Sequence, residues 1–349
     1  MYNVQQISLW KKKQFNDFLK SCSAGNIFQT YEWGELKKSS GWHPIRLIVE
    51  KNGQIFCAVT LLKRKNAGMT MLYSPRGPVL DYDNQAEIIS HCCRGVTDLS
   101  HKEKAVFWRI DPELIGTKYA ELLTNAGFSL VPVNNPFGGI QPKWVWRITL
   151  SDTPDHQWKL LKQSGRKWIN KALKNKVEIK EGTAKDIPIL YRLLKETSNR
   201  SNFLLRSSSY YHDLWTKLAP LSPKMVLAFH EGQPVSAILV VGFGQGVWGI
   251  CTGNSASSRG LGASYLLNWE VITWAIHNGY KFYDMGGIAP EADEHHPLGG
   301  LKIFKSHLGG SAVEFVGEYD LVFKSPAYRL WNIGQKSFNT IKKFKKLIR

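Results

Sequence analysis

Apolar and polar positions along this chain predict strands and helices in alternation. Residues 49–62 form an apolar run, the Asn52-Gly53 turn signal and a second apolar run, which is the pattern of a β-hairpin. Residues 228–241 repeat it 179 positions later, with Gly232, Gln233 and Ala237 in register with Gly53, Gln54 and Ala58. Each hairpin is followed by another apolar strand, at 69–74 and at 246–251. Helical spacing appears at 7–21, with Leu9, Trp10, Phe15, Phe18 and Leu19 on one face, and at 158–176, with Leu160, Leu161, Trp168, Ile169 and Leu173. Further helices are predicted at 119–125, 185–198 and 263–277. The first of these stops at Ala126-Gly127 before a strand at 128–133, and the last stops at Asn278-Gly279 before a strand at 281–285. Strands and helices wired in this order make an α/β (α+β) protein built from two copies of one unit. Domain boundaries are expected near 142–150, where a Pro-Phe-Gly-Gly loop and Gln141-Pro142 precede a new strand, and near 317–323.

Composition narrows the class. The chain has 349 residues, 43% hydrophobic and 12% aromatic, enough for two globular domains and too apolar for disorder. The longest apolar run, 235–241, is too short to span a bilayer, and no apolar core follows the early lysines as a signal peptide would require. Five cysteines without CxxC spacing indicate neither a disulfide framework nor a zinc site, so a cytoplasmic protein is expected.

Charge points to an anionic partner. The net charge is +18, which suits nucleic acid, a phosphorylated substrate or an anionic membrane. Between Lys159 and Lys176 lie seven basic residues and no acidic one, so Arg166, Lys167 and Lys171 are candidate contacts to a nucleic-acid or other phosphate. No acidic residue follows Asp320. In that tail Trp331, Phe338, Ile341, Phe344 and Ile348 fall on one helical face among lysines, which suits an anionic membrane surface; packing of 331–338 on the first domain is the alternative.

Candidate chemistry is concentrated in the second half. Tyr283-Asp284-Met285-Gly286-Gly287 ends a strand, and a second glycine-framed segment, 299–310, presents Lys305 beside Phe304. Glycines admit close approach of backbone to a ligand, and a lysine there can stabilise a developing oxyanion. Arg206 and Tyr210 are four apart, so both heads fall on one side, and an arginine fork suits phosphate oxygens. Asp111, at the end of a strand before Pro112, is either a general base or a strand-end cap. The run from Arg259 to Ser264 precedes a long apolar helix as a phosphate-cradling loop does. His295 and His296, near Glu291, Asp293 and Glu294, lack the spacing of a metal site and predict a polar loop bordering the cleft.

Four segments occur in a specific order: Gln29 to Lys37, Tyr73 to Val79, Trp108 to Glu113, and the Gly-Leu-x-x-Phe-Lys run ending at Lys305. With them the chain resembles the FemABX family, the tRNA-dependent aminoacyltransferases that build peptidoglycan cross-bridges, over nearly its whole length. The resemblance implies two GNAT-like acyltransferase domains, 1–147 completed by 318–349 and 148–317, without the long helical arm that many members carry. It implies that Lys305 and Phe304 lie where an aminoacyl-tRNA ester meets the acceptor amine. Lys37, four residues after Trp33, would contact the phosphates of a lipid- or nucleotide-linked peptidoglycan precursor together with Arg206 and Tyr210, and Arg76 would line the same cleft. Val106 and Cys251 stand where the family places tyrosines near the acceptor, which leaves the acceptor's identity open. No metal or redox cofactor is implied. An acyl-CoA-dependent N-acyltransferase and a non-catalytic tRNA or precursor binder at the membrane are the alternatives.

Overall fold

The computed structural model of the chain describes residues 1–133, 137, 139–201, 203–291 and 298–334. Two sheets carry the architecture. In the first, β1 (Asn3–Gln6), β2 (His43–Lys51), β3 (Gln54–Asn66) and β4 (Met69–Ser74) are antiparallel neighbours, β5 (Val79–Leu80) pairs with β3, and β6 (Ala105–Ile110) runs parallel to β4. A two-residue strand, β7 (Ser129–Leu130), ends it. The second sheet is made of β8 (Trp144–Thr149), β9 (Glu178–Gly182), β10 (Lys224–His230), β11 (Gln233–Phe243), β12 (Gly246–Asn254), β13 (Phe282–Gly287) and β14 (Ser311–Glu314), ordered β14-β8-β13-β12-β11-β10-β9.

The repeat read from the sequence is a repeat of topology. In the first unit, β2, β3 and β4 form an antiparallel meander, the helix α3 (Ile88–Glu103) follows, and β6 returns parallel to β4. In the second, β10, β11 and β12 form the meander, α9 (Ala263–His277) follows, and β13 returns parallel to β12. Both hairpins turn on two left-handed residues, Asn52 with Gly53 and Glu231 with Gly232, the geometry that matches strand twist.

Six more helices pack on these sheets: α1 (Lys12–Ser21), α2 (Tyr31–Lys38), α4 (Thr117–Asn125), α5 (Pro154–Leu160), α6 (Gln163–Lys174) and α7 (Ile187–Ser201). With α8 (Ser208–Leu218) and α10 (Gly299–His307) they complete the named helices, and residues 325–334 form a last helical segment. The strand β11 shows how the layers divide its side chains. Ala237, Leu239 and Val241 enter one core, which also takes Phe15 and Leu19 of α1, Leu36 of α2 and Leu214 of α8. Ile238 and Val240 enter the other, against Leu267 and Val271 of α9. The first of these cores is therefore shared by both halves of the chain.

Several elements depart from the predicted pattern. The helix expected at 158–176 is two helices, because Leu161 is extended and turns its side chain into the core. Gly165 then lies against the carbonyl of His307, an approach no larger residue permits. The N-terminal segment begins as a 3₁₀ turn at Leu9–Lys11, and Leu9 and Trp10 are exposed rather than part of a buried face. The strand expected at 128–133 is only β7. The boundary expected at 147/148 cuts through β8, all of whose partners are in the second sheet, so a division by sheet falls ahead of Trp144.

After β14 the chain crosses back. β15 (Tyr319–Val322) inserts between β6 and β7 in the first sheet. The segment 325–334 then seats Trp331 edge-on against Phe107, with ring centroids 5.4 Å apart. Trp331 is thus a core residue of the first half, while Phe338, Ile341, Phe344 and Ile348 lie outside the described residues. Between β8 and β15 the longest helices, α7 and α9, have 15 residues each, so no long helical arm occurs among the described residues. None of their helices is long and apolar enough to cross a membrane.

Candidate active site

The site grows from the end of β13. Asp284 accepts a hydrogen bond from Gly286 N at 2.7 Å, closing a turn in which Gly286 takes φ +79°, a conformation that favours glycine. The turn presents the carbonyls of Gly286 and Gly287 side by side. Lys305, brought in by α10, donates to both at 2.9 Å. An ammonium has three N–H donors, so two are anchored and the third belongs to the charged form alone. Burial of Lys305 lowers its pKa to about 8, with Asp284 pulling it back up. Phe304 packs edge-on against Tyr265 of α9 at 4.7 Å, and Tyr265 stacks on Trp168 of α6 at 5.7 Å.

Two cavities meet here. The larger, about 1090 Å³, is lined by Phe304, Lys305, Trp168, Tyr265, Arg200 and the Arg259-to-Ser264 loop except Leu261. The smaller, about 370 Å³, is lined by Trp33, Lys37, Arg76, Arg206 and Tyr210 among others. Pro142, Gly249, Ile250, Cys251 and Gly286 line both, so the two cavities adjoin along one shared wall, and Gly286 is also a carbonyl anchor of Lys305. In the smaller cavity Lys37 donates to Tyr210 Oη at 3.1 Å, and its ammonium lies 4.4 Å from the centroid of the Trp33 ring. Burial, reinforced by the positive charge of Arg206, brings the Lys37 pKa down to about 8. The Arg206 guanidinium lies 5.5 Å from the Tyr210 ring centroid. The fold therefore gathers Trp33, Lys37, Arg76, Arg206 and Tyr210 from three separate stretches of chain.

Other predicted residues lie elsewhere. Asp111 lines neither cavity. Its two carboxylate oxygens accept from Tyr73 Oη at 2.7 Å and from Arg76 N at 2.6 Å, so it fastens the Ser74-to-Pro78 turn, and burial raises its pKa. Arg166 donates to the carbonyls of Trp158, Lys159 and Leu161, closing the end of α5, and is already engaged. Lys167 is exposed on α6, and Lys171 sits 4.8 Å over the Trp168 ring, outside both cavities. Val106 lines neither cavity; it packs with Trp331 and Phe107 under the last helical segment. Cys251 does line both cavities, and burial raises its thiol pKa to about 12. His295 and His296 lie outside the described residues, among which no His/Cys/Asp/Glu group could hold a metal ion.

Sequence reasoning assigned no role to Arg147, Glu113 or Asp284, which form a buried ionic group beside the shared wall. Arg147 Nε donates to Asp284 Oδ2 at 2.9 Å, and its Nη2 pairs with Glu113. Glu113 in turn lies 3.7 Å from Arg76 Nε. The one signal was Arg147 itself, a charge within the otherwise apolar run of β8.

This arrangement of two stacked acyltransferase-like units can be set beside known proteins. The family model described as the FemAB family matches residues 10–229 and 222–336. The chain belongs to the FemAB family. The lipid II:glycine glycyltransferase of Staphylococcus epidermidis is 24% identical, over 91% of this chain and 93% of that one. Among solved structures, FemX superposes with a TM-score of 0.87 at 21% identity, covering 94% of this chain and 99% of its own. A tandem GNAT protein from the clavulanic acid biosynthesis pathway gives a TM-score of 0.54 at 9% identity over 92% and 98% of the two chains. These structural likenesses establish the mixed α/β fold with tandem GNAT-like units, and this FemAB chain shares that fold without a long arm among its described residues.

Proposed function

We propose that this FemAB-family chain is an aminoacyltransferase that moves an amino acid from aminoacyl-tRNA to the stem-peptide amine of a peptidoglycan precursor. The observation that carries it is the pair of cavities sharing one wall, with Lys305 anchored to the carbonyl of Gly286 in that wall. The larger cavity takes the donor. Its aromatic wall of Trp168, Tyr265 and Phe304 suits a nucleoside end, and Arg200 and Arg259 suit a phosphodiester. The smaller takes the acceptor, whose phosphates meet Lys37 and Arg206. The curated relatives named lipid II:glycine glycyltransferase support a lipid-linked acceptor and cross-bridge synthesis. A basic tail in contact with an anionic membrane fits that acceptor.

The chemistry is aminolysis of an activated ester. The acceptor nitrogen bonds to the carbonyl carbon, the carbon–oxygen bond to the ribose breaks, and the proton lost by the amine ends on the departing hydroxyl. Negative charge builds on the carbonyl oxygen, and the third N–H of Lys305 is the donor for it. Two substrates held against one wall gain most of their rate from proximity. The test is transfer with charged tRNA and precursor, read as the mass of an added residue. Product is expected only with charged tRNA and none after ribonuclease treatment. Ribonuclease-insensitive acylation from acetyl-CoA would select the acyl-CoA enzyme instead, and binding of tRNA or precursor without any product would select the non-catalytic binder.

A further inference from the structure

Lys305 is held by a turn, and that turn is held by charges from the other half of the molecule. Reading outward from Lys305, the carbonyl of Gly286 anchors the ammonium and the N–H of Gly286 is fixed by Asp284. Asp284 is fixed by Arg147, Arg147 by Glu113, and Glu113 faces Arg76. Arg76 donates to Pro142 O at 2.7 Å, and its own N–H is held by Asp111. The signs alternate along the row: positive, negative, positive, negative. Phe315 fills the space beside both arginines, 4.7 Å from the Arg76 guanidinium and 4.9 Å from that of Arg147. No member of the row is more than 16% exposed. A buried row of this kind is a costly way to stabilise a fold, since apolar side chains of similar volume serve as well or better. It does give fixed geometry. Arg76, Glu113 and Asp284 also line the acceptor cavity, so an acceptor bound there touches the row directly.

We propose that Arg147 and Asp284 are positioning residues, the last links of a buried charge relay that runs from the acceptor cavity to the turn holding Lys305. Glu113 and Arg76 carry it into the first half of the molecule. The role in catalysis rests on Lys305 being the oxyanion donor; the electrostatic link itself does not. Among the described residues Asp284 is the one carboxylate that acts on Lys305. The other groups lining the larger cavity around Lys305 are of a different kind. Cys251 of β12, Tyr283 of β13 and Tyr265 of α9 are pushed up by burial and stay neutral, while Arg200 and Arg259 are cations. Just ahead of α6, Lys162 turns to Ser306, and Arg166 of α6 turns to the end of α5.

The titration of Lys305 tests the link without any substrate. Competitive trace acetylation across a pH series, read by mass spectrometry on the full chain, gives its midpoint. Asp284→Asn keeps an oxygen for Gly286 N but removes the charge, so the midpoint is expected to fall by about one unit, a tenfold loss of ammonium on the alkaline side. Local unfolding would move it the other way, toward the ordinary lysine value. Glu113→Gln, two links further out, is expected to lower kcat about tenfold with acceptor KM changed less than threefold, by the logic of a transition-state contact. Arg147→Lys is expected to recover part of the kcat lost in Arg147→Gln. An unchanged or raised midpoint in Asp284→Asn overturns the relay. If that variant does not fold, a Glu113→Gln enzyme with unchanged kcat overturns it equally. A shifted midpoint in a protein that transfers nothing from charged tRNA leaves the relay standing and removes the proposed reaction.

Discussion

Lys305 combines two properties that ordinarily conflict: it is buried, and it is needed as a cation. Burial sets its pKa at about 8, so at neutral pH it is mostly charged. As pH rises through that value the ammonium loses a proton, and the two remaining hydrogens can both be spent on Gly286 and Gly287. The donor for the oxyanion then disappears, so kcat is expected to fall on the alkaline side with a midpoint near 8. Lys305→Arg, which keeps its charge at every accessible pH, is expected to be slower but to lose that limb. Lys305→Met is expected to lower kcat by about 100-fold or more while leaving acceptor affinity within a few-fold, as for other oxyanion donors. Steady-state rates across about pH 6 to 9.5 check both. A profile unchanged by Lys305→Arg would remove the lysine from the chemistry.

Among elements, the last helical segment carries a clear energetic expectation. Trp331 closes a small apolar cluster with Phe107, Leu62, Met71 and Tyr73. Trp331→Ala is expected to cost about 3–5 kcal/mol, the usual range for removing a large buried aromatic, measured by urea unfolding. A cost below about 1 kcal/mol, typical of an exposed site, would show that the segment is not docked in solution. The element scale is also where sequence reading worked best. The hairpins at 49–62 and 228–241 were legible because alternation and turn residues agree, and α9 begins and ends where glycine and Asn-Gly punctuate it. The 158–176 stretch misled because the apolar spacing continues across Leu161, and only packing against α10 forces the break. At the site, Lys305, Lys37, Arg206 and Tyr210 stood out through motif spacing. Glu113, Arg147 and Asp284 did not, because they are far apart in sequence, Glu113 lies in the other half, and no local pattern joins residues 113, 147 and 284.

For the whole molecule, the shared core governs behaviour. Side chains of α1 and α2 pack with α7, α8 and β11, so separating the halves would expose the apolar faces that meet there, although each half also has a further core of its own. Residues 1–143 expressed by themselves are expected to lack cooperative unfolding, while the full chain is expected to melt in one transition. Calorimetry decides it: two separated transitions in the full chain, or a cooperative melt of the fragment, would show independently stable halves.

The placement of β15 has a consequence for the birth of the chain on the ribosome. β6 and β7 do not touch each other in the finished sheet; β15 lies between them and supplies their hydrogen bonds. While the second half is being synthesised, the outer edge of β6 therefore has no partner strand, and an unpaired edge invites the wrong one. Domains ordinarily finish in the order in which they emerge, but here the first sheet waits for residues 319–322, which follow every strand of the second sheet. A ribosome that stops just short of Tyr319 would release a chain with every strand of the second sheet made and the first sheet still open, a natural client for a chaperone.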